Sequence, residues 1–140
     1  MVFELLEQRL AELKTPRVLI VGDVMLDRYV AGEVSRISPE APIPVLAASS
    51  SEEKLGGAGN VAFNLRSMDA DVELVGVIGD DGWGRQLRDI LSEAGIGAEG
   101  LVVDAGRPTS LKTRMVSGVQ QMLRVDWEDA SALSGDAQAA

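Results

Sequence analysis

Arg17-Val18-Leu19-Ile20-Val21 is apolar from its second residue onward and closes on Gly22-Asp23. Such a run offers water no polar face. It reads as a strand buried on both faces, and strands of that kind occur where helices cover a parallel sheet. The rest of the chain has to be compatible with it. Val72 to Gly79 repeats the pattern, and Leu101-Val102-Val103 makes a brief third strand. Between these runs the spacing turns helical. One helix follows Gly56-Gly57-Ala58-Gly59-Asn60 and carries Val61, Leu65 and Met68 on a face. Another starts at Asp80-Asp81-Gly82, with Trp83, Leu87, Ile90, Leu91 and Ala94 on one stripe and Gly95 as its C-cap. Ahead of all of them, Phe3, Leu6, Leu10 and Leu13 predict a short amphipathic helix that Pro16 ends. Alternating strands and helices predict an α/β fold, a mainly parallel sheet flanked by helices.

Two stretches depart from this pattern. From Tyr29 to Leu55 the chain is broken by Pro39, Pro42 and Pro44, with Val45-Leu46-Ala47 as its one apolar cluster. Prolines at that density suit edge strands and a protruding flap. Lys112 to Ser117 and Gln120 to Asp126 alternate around Gly118-Val119, the pattern of a hairpin. A small β element is therefore expected beside the main sheet. Three core strands with open edges are an awkward place for a fold to end, and the tail over 129–140 is small and polar, expected to lack order. The chain reads as unfinished, within the compass of one domain.

The residue inventory narrows the chemistry. With no cysteine and no histidine, thiolate chemistry and imidazole catalysis are unavailable, leaving carboxylates, lysine, hydroxyls and backbone amides. A net charge of -9 argues against gripping a nucleic-acid backbone. No apolar run approaches the roughly 20 residues of a membrane span, and Glu4, Glu7 and Glu12 are foreign to a signal peptide. A cytoplasmic protein is the expectation.

Gly56-Gly57-Ala58-Gly59-Asn60-Val61-Ala62 is the strongest local signal. Glycines admit a ligand close to the backbone, and free amides at a helix N-terminus favour hydroxyl oxygens or anions. Asn60 adds a group that donates and accepts, as a sugar diol requires. The bland alternative is a tight loop-to-helix turn. Asp23 and Asp27 bracket the C-terminal end of the first strand, where open α/β sheets place ligands; otherwise they close the strand and cap a turn. Arg28, Arg36, Lys112, Arg114 and Arg124 are candidate partners for a substrate phosphate, or else solvated surface charges. Gly57-x-Gly59-x-x-Ala62 also satisfies a dinucleotide fingerprint, but the fingerprint belongs directly after a buried strand and Ser49-Ser50-Ser51-Glu52-Glu53-Lys54 precedes it here.

Gly22-Asp23 with Asp27, then Gly56-Gly57-x-x-Asn60-x-Ala62 and Gly79, resemble the N-terminal signature of the ribokinase and phosphofructokinase-B sugar kinases. Val21 to Tyr29, Ser35 to Val45, Lys112-Thr113-Arg114 and Gln120 to Asp126 are similar to the heptose-7-phosphate kinase branch of bacterial ADP-heptose synthesis. The resemblance covers about residues 17–128. Asp69 departs from it, standing where the signature usually has a small residue, commonly glycine.

The resemblance implies the N-terminal part of a ribokinase-like fold over 1–140, whose small β lid occupies about 28–55 and 110–126. It implies that Asp23, Asp27, Asn60 and the Gly56-Gly57 backbone contact sugar hydroxyls, and that the lid excludes water and makes a homodimer contact. The implied reaction transfers the ATP γ-phosphoryl group to D-glycero-β-D-manno-heptose 7-phosphate, giving the 1,7-bisphosphate, with Mg2+ in the full-length family. The family's catalytic aspartate sits in a Gly-Ala-Gly-Asp motif at a later helix. Nothing here matches it, since Gly95-Ile96-Gly97-Ala98 and Asp104-Ala105-Gly106 have the wrong order. The nucleotide site is likewise expected to be mostly absent, so the chain alone is expected to be inactive. Two other readings stand beside this one: a non-enzymatic sugar-phosphate-binding or dimerisation module, and a dinucleotide-binding domain.

Overall fold

The computed structural model describes residues 2–12 and 14–139. The first helix, α1 (Val2–Ala11), forms where the periodicity predicts it, but Phe3 and Leu6 stand exposed. Leu13 and the side chain of Leu10, the other members of the predicted stripe, lie outside what is described. Three strands then build a parallel sheet in the order β1 (Arg17–Val21), β4 (Asp71–Ile78), β5 (Leu101–Val103). Between them lie β2 (Val24–Ile37), β3 (Pro44–Gly57) and the helix α2 (Ala58–Ser67), then α3 (Gly82–Glu93). Further on, β6 (Ser110–Ser117) and β7 (Gln120–Trp127) complete a second sheet of four strands in the order β3-β2-β6-β7. Past β7, Arg107 donates to the carbonyls of Asp129 and Ser131, and a short helix α4 (Gly135–Ala139) follows.

The core lies between the parallel sheet, α2, α3 and the inner face of the second sheet. Val72, Leu74 and Ile78 of β4 meet Leu87 and Leu91 of α3, while Leu26, Leu55 and Leu111 come in from the second sheet. The α3 stripe is core as predicted, with Trp83, Ile90 and Ala94 packed at its margin.

Burial corrects three expectations. Among the described residues β1 pairs only with β4 and is covered on one face: Val18 and Ile20 pack inward, while Leu19 is 61% and Val21 72% exposed. An apolar run makes a strand fit for two-sided burial, but the layer that would cover its second face is not among the described residues. On α2 the buried residues are Gly59 and Ala62, with Leu65 beside them; Val61 and Met68 face outward. Small residues let that helix lie close to the sheet. The stretch from Tyr29 to Leu55 is not short and broken, since β2 and β3 are 14 residues each. Its prolines fall in the connection and at the first position of β3, where no ladder donor is needed.

Asp69 adopts φ 63°, the left-handed region, at the turn between α2 and β4. That conformation explains why glycine suits the position. Thr113, on the inward face of β6, is buried and its hydroxyl is without a hydrogen-bond partner among the described residues. Thr113→Val keeps the shape and removes the stranded hydroxyl, and is expected to raise unfolding stability by about 1 kcal/mol. Denaturant titration of the two chains measures it. A loss of stability would show that the hydroxyl does have a partner.

Candidate functional site

The C-terminal end of β1, the end of β3 and the first turn of α2 meet at one point. Gly57 sits at φ 55°, ψ -131°, a region that a residue with a Cβ does not reach without strain. This turn brings the Ala58 amide onto the Asp23 carbonyl at 2.8 Å. Among the described residues no side chain caps the start of α2. Asp23 is exposed beside the helix start, its carboxylate unpaired among the described residues. Gly56 allows a second close approach, because a Cβ there would lie 2.8 Å from Met25 Cγ and 2.9 Å from the Asp27 carboxylate. The glycine pair therefore lies against the backbone carbonyl of Asp23 and the carboxylate of Asp27. Asn60 is exposed one turn further on, and its backbone carbonyl accepts from Asn64 at 2.9 Å.

Strand register decides what joins this group. Across the second sheet, Lys54, Asp27, Lys112 and Asp126 stand side by side on β3, β2, β6 and β7. The next row is Glu52, Tyr29, Arg114 and Arg124. Register partners share a face, so one face of the sheet is a lattice of ions around a single tyrosine. Arg114 Nη1 lies 2.5 Å from Asp27 Oδ1, and its guanidinium stands 5.3 Å from the Tyr29 ring centre. Lys54 approaches the same ring at 5.8 Å. Lys112 Nζ lies 2.6 Å from Glu128 and 3.2 Å from Asp126; Arg124 Nε lies 3.0 Å from Asp126.

These contacts hold the groups ionised. The hydrogen bond that Lys112 donates to Glu128, with the one to Asp126 adding to it, pushes the ammonium above its ordinary range against the opposing effect of burial. The bond to Asp27 does the same for Arg114. At Asp126 burial favours the neutral acid, but the bonds from Arg124 and Lys112 outweigh it and the carboxyl lies below its ordinary value.

Of the residues singled out by sequence, Asp23, Asp27, Gly56, Gly57 and Asn60 surround the turn, with Arg114 and Lys112 on the adjoining strand and Arg124 one strand beyond. Two cations are elsewhere. Arg28 points to the opposite face, 3.2 Å from Glu53 and 5.4 Å from the Trp83 ring centre, tying β2 to α3. Arg36 lies nine residues beyond Asp27 on β2, about 30 Å along a strand. Sequence reasoning passed over Tyr29, Lys54, Asp126 and Glu128. The signal for Asp126 was the alternation through 120–126, which puts it on the face of Arg124. A hollow lined by Arg17, Asp71, Glu73 and Glu99 lies at the opposite ends of β1 and β4, away from this group.

The glycine segment does follow a strand, although Ser49 to Lys54 is too polar to look like one. That strand is antiparallel to β2, whereas α2 leads to β4 in the other sheet. A dinucleotide fold needs both strands parallel in one sheet.

The pattern of the pfkB family carbohydrate kinases is matched over residues 15–139. The chain is 50% identical over 122 residues to the D-beta-D-heptose 7-phosphate kinase of Bordetella bronchiseptica, covering 85% of this chain and 39% of that protein. It is 53% identical over 121 residues to the bifunctional protein HldE of Caulobacter vibrioides, covering 86% and 25%. Among solved structures it is similar to a carbohydrate kinase from Agrobacterium tumefaciens, with a TM-score of 0.64, 23% identity and coverage of 80% and 35%. It is also similar to the ribokinase of Arabidopsis thaliana complexed with ribose and ATP, with a TM-score of 0.62, 20% identity and coverage of 81% and 36%. The chain thus spans between a quarter and two fifths of the length of these relatives. Its fold is ribokinase-like, and the chain belongs to the pfkB family of carbohydrate kinases.

Proposed function

We propose that this chain is the acceptor-sugar side of a kinase that phosphorylates a sugar phosphate, D-glycero-β-D-manno-heptose 7-phosphate, at its anomeric hydroxyl to give the 1,7-bisphosphate. The observation that carries this reading is the glycine turn packed on the Asp23 backbone and the Asp27 carboxylate, with the exposed Asp23 side chain at its edge, beside a strand that presents Arg114 and Lys112. Carboxylates and an uncapped helix start suit sugar hydroxyls; clustered cations suit a phosphate ester. The identity to a heptose 7-phosphate kinase supports the choice of sugar. The four-stranded sheet would act as the lid that shields the sugar from water. Exposed Ile37, Ile43, Leu123 and Trp127 on its strands and connection support a homodimer through it.

The residues present do not fit the nucleotide and Mg2+ that the family implies. Among the described residues no His, Cys, Asp or Glu side chains are grouped to hold a metal ion. The Gly-Ala-Gly-Asp motif is missing from the sequence. We assign nucleotide, metal and catalytic aspartate to the part of the kinase domain outside this chain, and expect no phosphoryl transfer from the chain alone. The described residues include no helix long and apolar enough to cross a membrane.

Calorimetric titration with heptose 7-phosphate, ATP and NAD tests the reading. Heptose 7-phosphate should bind and the two nucleotides should not. Asp27→Asn should weaken the sugar phosphate about 30-fold, by loss of a charge-assisted acceptor. Binding of NAD, or of ATP without the sugar phosphate, would overturn it.

A further inference from the structure

The ionic face of the second sheet is balanced. Lys54, Lys112, Arg114 and Arg124 are met by Glu52, Asp27, Asp126 and Glu128, each cation beside a carboxylate at 2.5–3.2 Å. A phosphate dianion approaching this patch therefore feels little net attraction, and the whole chain carries -9. Two of the cations differ from the rest in how they are held. Lys112 and Arg124 share one carboxylate: Asp126 gives Oδ2 to Lys112 Nζ at 3.2 Å, and Oδ1 and Oδ2 to Arg124 Nε at 3.0 and 3.2 Å. That is how two oxygens of a phosphate monoester would bridge the same pair. Lys112 has Glu128 as a second partner at 2.6 Å, so it would stay in place if Asp126 swung away. Asp126 lies on β7, the outer strand of the sheet, which among the described residues pairs with β6 alone.

We propose that Asp126 is a built-in competitor, a carboxylate that fills the anion subsite between Lys112 and Arg124 until a phosphate monoester displaces it. The proposal rests on the sugar-phosphate reading and deepens it by assigning the phosphate to this pair, leaving Arg114 to orient Asp27. The device discriminates between anions. Free phosphate must compete with a carboxylate tethered in the site, whose effective concentration is high. A sugar phosphate is tethered too, through the contacts of its hydroxyls at Asp23 and Asp27, and so meets the competitor on equal terms.

The test is titration of the unsubstituted chain and Asp126→Asn with heptose 7-phosphate, the unphosphorylated heptose and inorganic phosphate, at two salt concentrations. Asp126→Asn should tighten inorganic phosphate about tenfold and heptose 7-phosphate about threefold, with a steeper loss of affinity as salt rises. The unphosphorylated heptose should be unaffected. Weaker or unchanged binding of heptose 7-phosphate by Asp126→Asn, with the unsubstituted chain still binding it, overturns the competitor and leaves the sugar-phosphate reading standing. Failure of both chains to bind heptose 7-phosphate overturns the two together. Should Asp126→Asn not fold, the carboxyl carbon resonance of Asp126 in the unsubstituted chain reports the displacement directly. It should shift when heptose 7-phosphate saturates the site, and a resonance that does not move overturns the competitor.

Discussion

Asp81→Ala is expected to lower unfolding stability by about 3 kcal/mol at neutral pH, the cost of losing a helix cap and stranding a buried amide together. One carboxylate oxygen of Asp81 accepts the Gly84 amide at 2.7 Å and caps α3. The other accepts the Thr109 amide at 2.8 Å, where the chain turns into β6. Thr109 is almost wholly buried, and its hydroxyl in turn takes the Gly79 amide at 2.9 Å. One side chain thus joins the end of β4, the start of α3 and the second sheet. Alanine leaves the Thr109 amide with no water to replace the lost acceptor. Asp81→Asn keeps one acceptor oxygen and should fall between the two.

The pH dependence of that difference is fixed in sign. Burial favours the neutral acid, but the amides of Thr109 and Gly84 outweigh it, so the Asp81 carboxyl lies below its ordinary value of 3.8. A depressed folded value means the contribution is complete above about pH 4 and is lost as pH falls through the folded value. The gap between the denaturant midpoints of the unsubstituted and Asp81→Ala chains should therefore be widest at pH 7 and narrow below about pH 4, leaving the part that a neutral acceptor keeps. Asp126 and Asp129 are also held low, but they are common to both chains and cancel. A gap of constant size down to about pH 2.5 would mean that Asp81 acts through packing and not through its charge.

Gly57→Ala is the second large effect, expected at about 3 kcal/mol from backbone strain and the displaced Asp23 carbonyl together. A methyl group there would be driven into the Asp23 carbonyl oxygen, which accepts the first amide of α2. Stability and ligand binding should fall together, with affinity for heptose 7-phosphate down at least about tenfold in whatever fraction stays folded. Gly56→Ala makes the useful contrast. Its methyl group would meet side-chain atoms of Met25 and Asp27, which can shift. It should cost about 1 kcal/mol of stability while still moving the Asp27 carboxylate. Unfolding curves and calorimetry on the two variants separate the effects. If Gly57→Ala unfolds within about 0.5 kcal/mol of the parent chain, the positive φ at this turn does not constrain the fold.

Local chemistry made much of this molecule legible before any coordinates. Asp80-Asp81-Gly82 announces a helix start, and Asp81 caps α3. Gly118-Val119 between alternating segments marks the turn from β6 to β7. The glycine pair before Asn60 identifies a close backbone approach, and Gly57 has the positive φ that such a turn demands. These features depend on residues within a few positions of one another, so a single sequence contains them whole.

What the sequence determined, then, is the kinds of element, their order and the chemistry of the turn between Asp23 and Asn60. What only the tertiary structure decided is which side chains share a face. Arg28 and Arg114 look alike as cations near aspartates, yet one lies against Trp83 and the other, 87 residues along the chain from Asp27, holds that carboxylate. Val61 and Ala62 are neighbours on α2, and the smaller one is buried. The apolar run of β1 has one bare face because covering it takes another layer. Side chains alternate faces at every residue of a strand, so a slip of one position between distant segments would exchange the ionic face for the core. That register is set by packing among segments far apart in the chain, and no local pattern contains it.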